Sequence, residues 1–404
     1  MDRLETFFLK RYIKHPKRNL FRFSFVFMVI GIILSVGILS AGLNLFQGYE
    51  TNLKSLLLDS FPHVSIQSAY GELISQAELI RIKNKLAQKS EILSLTGSIE
   101  SSLMVQTQDK VRAVNLRAYD FSEDFPYARY ISKGSYDLQP KELIVGHYLA
   151  EELGLKIGDE LILSYPRLDR ITPLGIQNNQ STFTIAAIYR SGYYESDNSL
   201  VISTISDAKS LLMISDGYSK VELRLSDPDK ASQYSREYIY LLGSEYIAIP
   251  WDLYAQSLLR LVTMEKWLIF IVFSFLVLIA GINVISAMST IIIDKTREIA
   301  VLKTLGAGGH SIKRIFSWHV GLVALLAVIG GQILGLLLSW FVEIQSFYRL
   351  KGEVYFIDTL TADITWVNLA VVFAVSNLLI FACINIPLKQ IENMQIIDII
   401  RQRN

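Results

Sequence analysis

The chain has 404 residues, 51% of them hydrophobic, and its 39 Lys and Arg nearly balance its 38 Asp and Glu. A net charge of +1 without a dominant basic block excludes a nucleic-acid binder, and the apolar content excludes a disordered chain. The single cysteine, Cys383, excludes an internal disulfide and a Cys-rich metal site.

Residues 1–22 carry Arg3, Lys10, Arg11, Lys14, Lys17, Arg18 and Arg22 and read as a cytoplasmic amphipathic segment. The apolar run 23–46 follows. It is longer than the core of a signal peptide and lacks a small-x-small cleavage site, so it reads as a retained first span.

Residues 47–265 read as a folded, mixed α+β domain on the outer side. "PHVSIQS" alternates like a strand. "SQAELIRIKNKLAQKS" opens with a capping box, Ser75 with Glu78, before an apolar stripe at Leu79, Ile82 and Leu86. "LMVQTQDKVRAVNLRAYD" predicts a hairpin turning at Gln108 to Lys110. In "ELIVGHYLAEELGLKIGDELILSYP" the pattern predicts a strand, a helix stopped at Gly154, a turn at Gly158 and Asp159, and a second strand. "FTIAAIY" and "KVELRLS" read as strands and "SDAKSLLMI" as a helix. From Trp251 no breaker interrupts the approach to the second span, which predicts one helix over 251–293, with a short hinge near Met264 as the alternative.

The second span covers 266–293, the third 317–342 and the fourth 366–386, separated by a charged segment at 294–316 and an outer loop at 343–365. Trp267, Trp318, Trp340 and Trp366 fall near span ends, where amphipathic rings favour the headgroup region. Lys and Arg concentrate in 1–22, in 294–316 and in the tail 387–404, which places both termini in the cytoplasm. The architecture expected is an α-helical membrane protein with four transmembrane helices and a large mixed α+β periplasmic domain inserted between the first two.

No phosphate-binding G-x-x-x-x-G-K-[ST] loop, H-E-x-x-H or G-x-S-x-G occurs, and His15, His63, His147, His310 and His319 are scattered. These observations predict no catalytic residue, no metal site and no enzyme activity in this chain. The middles of the spans hold no Asp, Glu, Lys or Arg, which disfavours an ion-coupled transporter; Asn283, Gln332, Asn377 and Asn385 are expected to bond between helices. Gly331, Gly335 and Ser339 recur at four-residue spacing, as do Gly31 with Ser35 and Gly37 with Ala41, which suits close helix approach within one subunit or across a dimer.

In "DKTREIAVLKTLGAG", residues 294–308, Ile299, Leu302 and Leu305 recur at helical spacing, Arg297, Glu298 and Lys303 supply polar groups, and Gly306 is placed to end the helix. "TREIAVLKTLGA" resembles the coupling helix, and "GHYLAEELGLKIGDELIL" the outer-domain signature, of the permeases of the mechanotransmitting ABC transporter superfamily, which includes MacB, FtsX and LolC/LolE types. "FTIAAIYRSGYYESDNSLV", "RITPLG" and "VYFIDTL" resemble its lipoprotein-releasing LolC/LolE branch. A large outer domain argues against an FtsX type, and the lack of a fused ATPase against a MacB type.

The resemblance implies a permease subunit that extracts lipoproteins from the bacterial inner membrane and passes them to a periplasmic chaperone. It implies four partners besides membrane lipid: a separate LolD-like ATPase that binds the ATP and Mg, a second permease (LolC/LolE-type or another copy), triacylated lipoproteins and a LolA-like chaperone. No cofactor is expected in this chain. The coupling helix, through Arg297, Glu298, Leu302, Leu305 and Gly306, would dock into a groove of the ATPase. A hook at Arg170, Thr172, Pro173, Leu174 and Gly175 would recruit the chaperone. Three acyl chains in water would cost on the order of 30 kcal/mol, so the cargo needs a lipid-lined gap between permeases. The residues expected to line it are Val29, Ile33, Val36, Leu43, Phe270, Phe273, Val277 and Ile285. The alternatives are an FtsX-like signalling scaffold that activates a periplasmic partner and a MacB-like efflux permease.

Overall fold

The computed structural model describes residues 23–107, 110–121, 125, 127–172, 175–345 and 361–393. The basic segment 1–22, most of the loop 343–365 with "VYFIDTL", and the tail beyond 393 lie outside the described residues. Two compact units emerge, an apolar one from residues 23–51, 261–345 and 361–393, and a mixed one from 52–260.

Helix α1 runs from Phe23 to Ser60 and is 38 residues long. It continues past the apolar run because "FQGYETNLKSLLLDS" contains no proline and retains apolar contacts at Leu53 and Leu57, both buried. There follow β1 (Val64–Ser68), α2 (Gln76–Leu86), β2 (Ile92–Gln106), β3 (Val111–Tyr119), β4 (Ile131–Gly134), β5 (Glu142–Gly146) and α3 (His147–Leu153). Then come β6 (Glu160–Thr172), β7 (Gly175–Tyr189), α4 (Tyr194–Ser199), β8 (Leu200–Thr204), α5 (Ile205–Leu212), β9 (Lys220–Leu225), α6 (Ala231–Leu242), β10 (Tyr246–Pro250) and α7 (Trp251–Tyr254).

In the mixed unit, β10, β1, β9 and the first half of β2 form an antiparallel sheet in that order, with α2 and α6 as its crossovers, the arrangement of a split β-α-β motif. Strand β2 then continues into a second sheet, β2-β3-β8-β5-β7-β6, which closes because β6 pairs with both β7 and β2. Closure removes free edges. Every second residue points inward: Leu103 and Val105, Val114 and Leu116, Leu143 and Val145, Leu161 and Leu163, and Phe183 and Ile185 are all buried in one cluster.

The expected local signals operate as read. Ser75 Oγ accepts from the Glu78 amide at 3.3 Å while the Glu78 carboxylate accepts from the Ser75 amide at 2.8 Å. Gly154, at φ 70°, ends α3, and Gly158, at φ 92°, makes the turn into β6. The stretch "RSGYYESDN" folds around Asp197, a fully buried carboxylate that accepts from Ser191 N (2.8 Å), Ser191 Oγ (2.7 Å) and Gly192 N (3.0 Å). Buried polar groups need such partners, which explains a polar loop inside an apolar barrel wall.

The expectation of one helix over 251–293 needs correction. Helix α7 stops at Tyr254, Ala255 leaves the helical range at φ −90° and ψ 3°, and α8 (Gln256–Asp294) then runs unbroken through Met264. The break falls nine residues before the proposed hinge, where the Trp251 ring donates its Nε1–H to Pro228 O at 2.9 Å and ties α7 to its own domain.

After α8 come α9 (Thr296–Thr304), α10 (Gly309–Gln345) and α11 (Trp366–Asn393). Helices α1, α8, α10 and α11 are each long and apolar enough to cross a membrane. The glycine spacing serves contact within this chain: a Cβ on Gly331 would lie 2.7 Å from Val36 Cβ, and one on Gly335 would lie 2.6 Å from Ser40 Cβ. Asn44 Nδ2 donates to Ser339 Oγ at 3.3 Å across the same α1–α10 contact. Of the amides expected to bond between helices, Gln332 does so, donating to Leu369 O at 2.7 Å. Asn377 and Asn385 instead donate to Phe373 O and Phe381 O, four residues back on their own helix. An intrahelical carbonyl is always within reach of a short side chain, so the local bond wins.

Candidate coupling, cargo and docking sites

Helix α9 is a separate nine-residue element set off from α8 by Lys295. Lys295 Nζ lies 2.6 Å from the Glu298 carboxylate in the first turn, where an acidic side chain favours the helix dipole. At the other end the Ala307 amide bonds Leu302 O at 3.0 Å and the Gly306 amide bonds Lys303 O at 3.1 Å, with Gly306 at φ 90°. That is a Schellman stop, and the left-handed backbone is why glycine stands there.

The apolar stripe of α9 divides in a way the spacing alone did not resolve. Ile299 is 0% exposed and Leu302 packs on the same span cluster, joined by Ile312 and Phe316 of α10. Leu305, past the last helical turn, is 79% exposed, and Val301 is 53% exposed. Arg297 and Glu298 are also exposed. The outward face of the segment is therefore Arg297, Glu298, Val301 and Leu305, with Gly306 beside it. Ile299 and Leu302 hold the helix to its own bundle, and Val301 is the functional candidate that the i, i+3, i+6 reading missed.

The proposed hook falls on the tip of the β6–β7 hairpin. Residues Ile162–Ser164 pair with β2, but from Tyr165 to Thr172 the β6 strand pairs only with β7, ending on the rung Thr172 to Gly175. The register shifts between Arg167 and Ile171, and β7 covers the same stretch in the five steps from Gln180 to Gly175, so the arm reaches roughly 16 Å beyond the last β2 rung. Asn179 steadies its base by donating to Leu211 O at 2.6 Å. Arg170, Thr172 and Gly175 belong to the paired strands, whereas Pro173 and Leu174 lie outside the described residues.

The residues expected to line the gap divide by burial. Val36, Leu43 and Val277 are buried in the bundle of this chain, and Val29, Ile33, Phe270, Phe273 and Ile285 are half-buried. The exposed stripe of α1 is Val26, Phe27, Ile30, Leu34 and Ile38; on α8 it includes Leu268, Ile271, Phe275, Ile279 and Ile282. A helix apolar on every side carries no periodic signal for which face packs, so the register could not be read from the sequence.

Where the mixed unit receives the end of α1, charge is concentrated. Arg117 of β3 is buried and donates to Glu100 at 3.2 Å; Lys220 bridges Glu100 and, at 3.5 Å, Glu222. Tyr119 and Ser98 donate to Glu222 at 3.1 and 2.8 Å. Burial alone would raise the Glu100 pKa, but Arg117 and Lys220 outweigh it and hold that carboxyl down at about 2. The nearby His63 ring is pushed down to about 4, first by burial and then by Arg224, and its Nδ1 accepts from the Leu225 amide at 2.8 Å. No sequence motif pointed to this cluster, whose members are spread from Ser98 to Glu222.

Four apolar spans, a large folded domain between the first and second in the sequence, and a short amphipathic helix after the second are the architecture of a multi-pass membrane protein with a large extramembrane domain. The chain belongs to the MacB-like periplasmic core domain family, whose family model matches residues 25–238, more than half of its length. Residues 270–396, which hold most of α8 and all of α9, α10 and α11, match the FtsX-like permease C-terminal family. Among curated relatives, the "Lipoprotein-releasing system transmembrane protein LolC" of Neisseria meningitidis is 27% identical over 99% of this chain and 100% of its own length. The protein of the same name from Xylella fastidiosa is 26% identical over 90% of each chain. "Lipoprotein-releasing system transmembrane protein LolE" of Haemophilus influenzae is 25% identical over 86% of each.

Proposed function

We propose that this chain is the permease subunit of an ABC-type lipoprotein-releasing system, itself without catalytic activity. The observation that carries the reading is the match to a lipoprotein-releasing LolC over 99% of this chain and 100% of that protein. On this reading a separate ATPase, which binds the nucleotide and Mg, docks on Arg297, Glu298, Val301 and Leu305. A second permease, of LolC/LolE type or another copy of this chain, completes the pair in the bacterial inner membrane, with both termini cytoplasmic.

The cargo is a triacylated lipoprotein, whose chains require an apolar route; the outward stripes of α1 and α8 supply such surfaces. The β6–β7 hairpin, which runs on to the rung of Thr172 with Gly175 past its last rung with β2, suits the capture of a LolA-like chaperone. Co-purification tests the reading. The detergent-extracted complex should carry an ATPase and acylated lipoprotein, whereas a cell-wall hydrolase in place of lipoprotein would overturn it in favour of a signalling scaffold.

A further inference from the structure

The last turn of α1 ends on arginines. Helix C-termini leave four carbonyls without intrahelical partners. Here Leu57 O accepts from the Phe61 amide at 2.9 Å, while Arg224 Nη1 donates to Leu58 O at 2.7 Å, Arg224 Nη2 to Asp59 O at 3.0 Å and Arg117 Nη1 to Ser60 O at 2.9 Å. The Asp59 carboxylate pairs with Arg129. Both guanidinium groups on the carbonyls are also stacked, Arg117 over Phe61 at 5.4 Å and Arg224 over Tyr127 at 5.3 Å. Beyond the helix, the His63 amide bonds Leu223 O at 3.0 Å and the Trp251 amide bonds His63 O at 3.0 Å.

These arginines come from β3, β9 and the turn before β4, and Arg117 is itself locked in the Glu100, Lys220 and Glu222 network across neighbouring strands. Stability alone does not account for such an arrangement, because a buried ion network is often no more stabilising than an apolar replacement of the same volume. What the fork of a guanidinium adds is direction: planar donors on successive carbonyls fix both the axial position and the rotation of the helix end. A cation at this end also matches the negative pole of the helix.

We infer that Arg224 and Arg117 are positioning residues for lipoprotein release: they clamp the end of the α1 helix to strands β9 and β3, so that displacement of the first span is passed to the outer domain. The inference rests on the reading under Proposed function and adds to it the residues through which the stroke is delivered. Arg224 is the informative position, since it is half-buried and, unlike Arg117, lies outside the buried carboxylate network.

The test uses the full complex with its ATPase, reconstituted in proteoliposomes, carrying Arg224→Met, which keeps the stem and removes the fork, and Arg224→Lys, which keeps the charge. Three quantities are read: lipoprotein released per ATP hydrolysed, thermal stability, and nucleotide-dependent amide exchange in residues 57–63 and 221–225. The expected result for Arg224→Met is a loss of at least about fivefold in release per ATP, with Tm and ATPase rate near wild type, and an exchange response to ATP that persists in 57–63 and disappears from 221–225. Arg224→Lys should recover only part of the loss. Unchanged release per ATP, or release and ATPase falling together in step with Tm, would overturn the clamp. Wild-type complex that hydrolyses ATP without releasing lipoprotein would instead overturn the functional reading, and the exchange comparison would still decide the clamp.

Discussion

Asn377 and Asn385 of α11 donate to carbonyls four residues back, and Ser274, Ser289 and Thr290 of α8 do the same. In the outer domain Arg117, Tyr119 and Ser98 reach partners 57, 103 and 124 residues away along the chain. The spans thus satisfy polar groups mostly within a helix and find each other by shape, through glycines against Val36 and Ser40; the outer domain is held in register by long-range charge as well as by its apolar barrel. In hydrocarbon a polar group without a local partner is costly, whereas a domain in water can spread a charged network over several strands.

Removing charge should therefore hurt the outer domain most. Arg117→Met leaves Lys220 alone to balance the Glu100 and Glu222 carboxylates and Ser60 O without a donor, and should cost about 3–5 kcal/mol, read as a fall in Tm of the full-length protein in detergent. Enlarging a span glycine is the matching test of shape. Gly331→Leu drives a side chain into Val36 and should cost about 3 kcal/mol, while Ser289→Ala in α8 should be nearly silent in the same melts. If the polar change in α8 proved the worse of the two, the comparison would fail.

Acid should separate the units as well. His63 has a folded pKa of about 4 against an ordinary 6.5, so its contribution is complete above pH 6.5 and is lost as pH falls toward 4. Glu100, held at about 2, adds a second loss that begins below its ordinary 4.5 and continues toward 2. Melting of the outer domain should thus fall with pH from 6.5 downward, and His63→Asn, which keeps an acceptor for the Leu225 amide without a titrating ring, should flatten the upper part of that slope. The smallest effect belongs to local signals: Ser75→Ala removes one cap of α2 and should cost about 1 kcal/mol.

These contrasts also explain what could be read in advance. Span count, the capping box at Ser75 and Glu78, and the stop at Gly306 rest on local composition and backbone rules, and they stand in the structure as expected. The closed barrel was not legible, because nothing in "ELILSYP" says that β6 pairs with β2 as well as β7. Nor was the facing of α1 and α8, since a helix apolar all round has no stripe; hence Val36 and Val277, expected to face cargo, are interior. On α9 the spacing found Ile299 and Leu302 but not that they face inward, leaving Val301 and Leu305 outside. Leu305→Asp should consequently reduce ATPase capture by roughly tenfold at unchanged Tm, while Ile299→Ala should lower Tm by the equivalent of about 2–4 kcal/mol.

The central claim, that this permease releases lipoproteins from the membrane, is tested most directly by depleting the protein in its own cell and fractionating the envelope. Lipoproteins destined for the outer membrane should then accumulate in the inner membrane and return to normal when the wild-type chain is restored. Normal sorting after full depletion would contradict it.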